Sequence, residues 1–300
     1  MKLLLLLGGI GSENRELPAM GEYLQKVADT LGPDIIATRE WWGPFSPAGD
    51  FLETVSKLAL PRSALLVVNS KVSPGDYPND RYVSCISAVS YLDETGERQT
   101  AAISKRNCGG TAGGIEKFTV PDFGNGVLGQ PYDSLWGWET LAELSPDLKK
   151  HGSIPVPPAE LGYGFPVVLG GHALQVWHTI CSDFRRPPGP SPVIGIESAY
   201  SDDEGIGYPC AEVPLWIHCN YGRAMVAIGN NAFLFGRNLW WAEPGAQVQP
   251  DCSIVLEGGV ENKGSKGVAE FGETGAARSL DKNYSLLVEL NEDPFEAKSP

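Results

Sequence analysis

The chain is 300 residues long and 42% hydrophobic, and its 36 glycines and 24 prolines make up a fifth of it, a globular composition rather than a disordered or collagen-like one. Its 23 Lys and Arg stand against 37 Asp and Glu, a net charge of −14 with no basic cluster longer than a pair, which excludes the electrostatic footprint of a nucleic-acid or anionic-membrane partner. Six cysteines without a C-x-x-C pair exclude a disulfide scaffold and disfavour structural zinc, and free thiols in a reducing, cytoplasmic compartment follow as the expectation.

The opening run Lys2-Leu3-Leu4-Leu5-Leu6-Leu7 gives way to Gly8-Gly9-Ile10-Gly11 and then to charge, without a small-x-small cleavage pattern. It reads as a buried first strand, 2–7. Leu17, Met20, Leu24, Val27 and Leu31 recur at helical spacing within 12–31, and Gly32-Pro33 ends that helix. A strand at 34–38, a short helix at 51–58 and a strand at 64–68 follow. Strands at 82–92 and 99–104 flank Asp93-Glu94-Thr95-Gly96, whose Asp and Gly suit a tight reversal, so the three form a hairpin. Residues 135–150 read as a helix, 173–181 and 193–198 as strands, 212–223 as another helix, and 225–230, 253–256 and 284–289 as strands. Apolar runs alternating with helical spacing indicate stacked α/β layers. Nothing approaches the ~18 apolar residues of a membrane span. One domain is expected over 1–290, with an insertion near 119–158 and a flexible acidic tail at 291–300.

Three residues stand at the exits of apolar strands. Cys181 closes the run that ends Trp177-His178-Thr179-Ile180 and is followed by polar residues, the placement of a nucleophile, although a strand cysteine is commonly a small core residue. His178 lies three positions earlier, an odd offset that points it to the opposite face of a strand. Glu40 follows the strand at 34–38 and precedes Trp41 and Trp42, where partial desolvation suits a base for a thiol proton. Lys105 ends the second hairpin strand, where an ammonium can support an oxyanion. Gly8-Gly9-Ile10-Gly11 lacks the G-x-G-x-x-G spacing of a nucleotide loop. His218-Cys219 and Asp202-Asp203-Glu204 are adjacent residues that point apart or a solvated acidic loop, and no metal is expected.

The order Glu40, Lys105, Cys181, with the hairpin before the lysine and Ile180-Cys181-Ser182-Asp183-Phe184-Arg185 around the cysteine, resembles the carbon–nitrogen hydrolase (nitrilase) superfamily over most of the chain. The intervals are 65 and 76 residues, the first somewhat short and the second long for that family. Arg39 stands where a proline is usual before the glutamate, and Arg106-Asn107-Cys108 departs from the usual residues after the lysine. The resemblance implies a four-layer α-β-β-α sandwich and hydrolysis of a C–N bond in a small amide through a cysteine acyl-enzyme, without a cofactor. A nitrile substrate, acyl transfer to an amine and a scaffold that has lost turnover are its alternatives. Cys181 would be the nucleophile, Glu40 the general base and Lys105 the support for the tetrahedral species. A second glutamate would be Glu116, 11 residues after Lys105, or Glu160, 21 before Cys181. The Ser182 N–H would be an oxyanion donor, and Trp41 and Tyr200 are candidates for the substrate pocket, with Trp42, Phe45, Trp136, Trp138, Trp240 and Trp241 as further aromatic walls. Lys150 competes with Lys105, but it ends an expected helix, where cations are placed for dipole reasons alone. The resemblance also implies a homodimer or larger homo-oligomer.

Overall fold

A computed structural model describes residues 1–8, 16–61, 64–73, 84–104, 152–153, 164–180, 193–199, 213–221, 223–229, 231–236, 246–248, 254–256, 268–270, 275–280 and 285–296. In chain order they form β1 (Lys2–Leu6), α1 (Leu17–Leu31), β2 (Ile35–Thr38), β3 (Ser46–Pro47), α2 (Ala48–Ser56), β4 (Leu65–Ser73), β5 (Ser84–Leu92), β6 (Arg98–Ser104) and β7 (Gly152–Ser153). There follow β8 (Gly164–Leu169), β9 (His172–Ile180), β10 (Val193–Ser198), β11 (Leu215–Cys219), β12 (Arg223–Ile228), β13 (Asn231–Gly236), β14 (Ala246–Val248) and β15 (Ile254–Leu256). The chain then returns through β16 (Val268–Glu270), β17 (Gly275–Ser279) and β18 (Ser285–Leu290).

Two mixed sheets result. The first runs β16, β17, β18, β1, β2, β4, β5, β6, β7, with β3 on β4; the second runs β15, β14, β13, β12, β11, β10, β9, β8. The apolar opening run is an interior strand of the first sheet, parallel to β2 and antiparallel to β18. Its alternate residues serve two cores, as period-two geometry requires. Leu3, Leu5 and Leu7 join Ile35, Val67 and Val89 in packing against Phe165, Val176, Ile196, Ile217 and Val226 of the second sheet. Leu4 and Leu6 face the other way, with Ile36, Leu66 and Val68, and meet Met20, Leu24, Phe51, Leu52 and Val55 of the helices.

The sequence signals for α1 and the hairpin hold. Gly32 takes a left-handed φ of 55° and closes α1 through its N–H to the Ala28 carbonyl at 2.9 Å. At the hairpin, Asp93 Oδ1 accepts from the Thr95 and Glu97 amides at 2.9 and 3.0 Å, and Gly96 sits at φ 80°. The helix expected over 212–223 is a correction: its centre is the strand β11, parallel to β10 and antiparallel to β12. Leu215, Ile217 and Cys219 enter the core between the sheets, while Trp216 and His218 on the other face are just as buried. Burial on both faces erases the alternation that marks a half-exposed strand.

Helices α1 and α2 cover the outer face of the first sheet. The outer face of the second is closed to solvent at its centre, where Thr179, Glu197, Trp216 and His218 are all buried, and exposed at Pro166, Ala173 and Gln175, with no helix among the described residues packed on it. Helix, sheet and sheet are thus three of the four expected layers. The helix expected at 135–150 and the insertion near 119–158 lie outside the described residues. Of the expected tail, Asp293 meets His172 at 3.1 Å and Phe295 packs against the core. No helix among the described residues is long and apolar enough to cross a membrane.

Candidate active site

Several strands leave the sandwich at one end. β6 and β4 are both antiparallel to β5, so β6 runs with β4 and β2, and its last residue, Ser104, stands opposite Ile86 near the start of β5. In the second sheet β9, β10 and β11 are parallel, with Ile180 opposite Ser198 and Ser198 opposite Cys219. The two sheets are joined at this end by the backbone, the Glu40 N–H donating to the Ala199 carbonyl at 3.0 Å. Ala199 in turn donates to the Cys219 carbonyl at 2.8 Å.

Glu40, two residues beyond β2, is fully buried. Its carbonyl accepts a 2.7 Å hydrogen bond from Arg39 Nη1, and Arg39 Nε donates to the Gly8 carbonyl at 3.2 Å. The Arg39 guanidinium also lies over the Tyr221 ring, 5.1 Å from its centroid. Trp41 is half-buried at the edge of the core between the sheets. Its φ of 56° is a conformation that a bulky side chain rarely adopts, and among the described residues no other non-glycine shares a positive φ. The Lys71 ammonium sits 3.6 Å from the Trp41 ring centroid, a cation–π contact beside Glu40. Trp42, a candidate pocket wall, instead packs on the helix side of the first sheet near Tyr23, at a centroid distance of 6.1 Å.

Lys105, Glu116, Glu160, Lys150, Cys181, Ser182, Tyr200, Trp136, Trp138, Trp240 and Trp241 lie outside the described residues. What is described are the residues that precede two of them: Ser104 before Lys105 and Ile180 before Cys181.

Beneath this end is a polar cluster of which sequence reasoning named only His178. Asn69 of β4 donates through Nδ2 to the Thr38 carbonyl at 3.1 Å and to Ser198 Oγ at 2.9 Å. The Ser198 hydroxyl donates to the same Thr38 carbonyl at 2.8 Å. Ser87 of β5 bridges Asn69 Oδ1 and His178 Nε2, the latter at 2.6 Å. His178 Nδ1 is 3.0 Å from the Ile196 carbonyl, which can only accept, so that nitrogen carries the proton, and the single Ser87 hydroxyl proton serves Nε2 or Asn69 Oδ1 but not both at once. Burial pushes the His178 imidazole down to about 4, against the favourable hydrogen bond to Ile196, and the ring is neutral near pH 7. The signal for the cluster was parity: positions 69, 87, 178 and 198 share the inward face of their strands with Val67, Val89, Val176 and Ile196.

A second buried pair lies on the outer face of the second sheet. Glu197 Oε2 accepts from His218 Nδ1 at 2.9 Å. Burial, with the Glu197 charge adding to it, pushes the neighbouring Cys219 thiol up, so it stays protonated. Among the described residues no three His, Cys, Asp or Glu side chains come together as a metal ion would need.

No family model matches the chain, and no curated protein matches it. Among solved structures the chain is similar to a mutant of the amidase from Nesterenkonia sp. AN1 in complex with butyramide, at 11% identity over 97% of this chain and 91% of that one, with a TM-score of 0.38. It is similar to Saccharomyces cerevisiae Nit3, a member of branch 10 of the nitrilase superfamily, at 11% identity over 85% and 88% of the two chains, with a TM-score of 0.40. A carbon-nitrogen hydrolase from Helicobacter pylori G27 gives 12% identity over 85% and 87%, with a TM-score of 0.37. These likenesses concern the outline of the fold and not the residues of the site.

Proposed function

We propose that the chain hydrolyses the C–N bond of a small amide through an acyl-enzyme on Cys181. The thiol is the nucleophile, and Glu40 takes its proton as sulfur attacks the carbonyl carbon. Lys105 and the Ser182 N–H stabilise the charge that develops on the carbonyl oxygen. Glu40 returns the proton to the leaving nitrogen, ammonia departs, and the acyl group remains as a thioester. Water then attacks that thioester with Glu40 as base, releasing the acid and restoring the thiol. Glu116 is the second glutamate of this reading.

The observation that carries the reading is the shared end of β2, β6 and β9: the strands that precede Glu40, Lys105 and Cys181 all leave the sandwich there, and Glu40 is buried beside the joint between the sheets. A buried carboxylate next to a thiol is useful because only a few per cent of a free thiol is ionised near neutral pH. Ammonia release measured over a panel of small amides, nitriles and N-carbamoyl compounds tests the proposal. The expected result is turnover of at least one amide that falls by about a thousand-fold or more in Cys181→Ala. Release that persists in Cys181→Ala, or no release from any member of the panel, rejects it.

A further inference from the structure

We propose that Asn69 and Ser198 are positioning residues that clamp the end of β2 to β10 and so fix Glu40 relative to the exit of β9. The inference rests on the reading of Glu40 as the base and adds residues that the resemblance does not assign. Its starting point is the Thr38 carbonyl, the last of β2 and two residues before Glu40. That oxygen accepts from both sheets at once, from Asn69 Nδ2 of the first and Ser198 Oγ of the second. Asn69 also holds the Thr38 hydroxyl, its backbone N–H donating to Thr38 Oγ1 at 2.9 Å, and the Asn69 and Ser198 side chains are bonded to each other.

Ser198 makes the linkage directional. It stands opposite Ile180, the residue before Cys181, while its hydroxyl holds the strand that leads to Glu40. One residue therefore links the two strands that precede the proposed base and nucleophile, β2 through its hydroxyl and β9 through its place in the backbone ladder. The next residue, Ala199, accepts the Glu40 N–H, so the clamp sits immediately before the backbone bond that seats Glu40. Ser87 and His178 brace Asn69 from below, and the His178 ring is itself tied to Ile196 of β10. All these side chains are buried, where a lost hydrogen bond is not replaced by water. A base displaced by even an ångström from its proton loses rate rather than binding.

The test compares wild type with Ser198→Ala and Ser87→Ala, each of which deletes one oxygen and adds no bulk. Residue-resolved amide exchange is read at Glu40 and at the interior β1 residues Leu4 and Leu5, and ammonia release is read as kcat and KM. The expected result for Ser198→Ala is exchange at Glu40 about ten-fold faster with Leu4 and Leu5 unchanged, and kcat about ten-fold lower with KM within about two-fold. Ser87→Ala is expected to change both in the same direction by a smaller factor. Unchanged exchange at Glu40, equal acceleration at Leu4 and Leu5, or a change in KM alone overturns the clamp. Faster exchange confined to Glu40 in a chain whose wild type releases no ammonia upholds the clamp and rejects the function built on it.

Discussion

His178 shows at residue scale what a buried titratable group costs. Its imidazole lies between two sheets with a carbonyl on one nitrogen and a serine on the other, and burial holds its proton affinity at about 4 instead of the usual 6.5. The unfolded chain takes up this proton as pH falls through about 6.5, whereas the folded chain resists until about 4. The unfolded state therefore binds more protons across that window, and stability falls as pH falls. The whole window is worth about 3 kcal/mol, and the part between pH 7 and 5, where carboxylates remain largely ionised, about 2 kcal/mol. Urea titrations at the two pH values are expected to show wild type losing about 2 kcal/mol more than His178→Gln. Equal losses contradict the neutral buried ring. The direction of His178 is set by the parity it shares with Leu174, Val176 and Ile180, all in the core between the sheets, and was legible to that extent in the sequence. Its partners were not: Asn69, Ser87 and Ser198 are ordinary polar residues in strands, and only the parity they share with apolar neighbours places them inside.

At the scale of elements, β10 and β11 are joined by a contact that depends on a missing side chain. Gly195 stands opposite Trp216, and a Cβ there would come within 1.8 Å of the indole ring. The backbone at Gly195 thus serves as the floor for Trp216, which is fully buried. Gly195→Ala must push the ring aside, and denaturation is expected to show a loss of about 3 kcal/mol. On a Trp216→Leu background the same substitution is expected to cost less than about 1 kcal/mol more, because the clash is gone. Equal costs in the two backgrounds contradict the packing account. The same burial explains why β11 looked helical: Leu215, Trp216, Ile217, His218 and Cys219 present no polar side to solvent, so neither period dominates. Where one signal was unambiguous, as with Gly32 after α1 or Asp93 and Gly96 in the hairpin, the element stood where the residues put it.

At the scale of the whole molecule, the residues proposed for the chemistry follow strands at one end rather than standing in the middle of a sheet. Strands β2, β9 and β10 deliver their exits to one rim, and a polar cluster there joins sheets whose described residues elsewhere meet through an apolar core of aliphatic and aromatic side chains. The layered class was legible because apolar runs alternate with segments of helical spacing, and the two cores served by β1, β2 and β4 agree with a sheet covered on both faces. The rim was legible only as a set of residues that follow strands. Nothing in the spacing of Glu40 and Cys181 reveals that Ala199 and Ser198 link their neighbourhoods, because that contact spans some 160 residues of sequence and depends on how two sheets align.

The most direct measurement is the rate at which iodoacetamide alkylates each of the six cysteines, followed by mass spectrometry of their peptides, in wild type and in Glu40→Gln. Cys219, buried and held protonated, is an internal standard for an inert thiol. With Glu40 acting as base for Cys181, Cys181 is alkylated at least about ten-fold faster than the other five, and Glu40→Gln removes most of that advantage. Uniform slow labelling, or a fast Cys181 indifferent to the loss of the carboxylate, contradicts the pairing of these two residues.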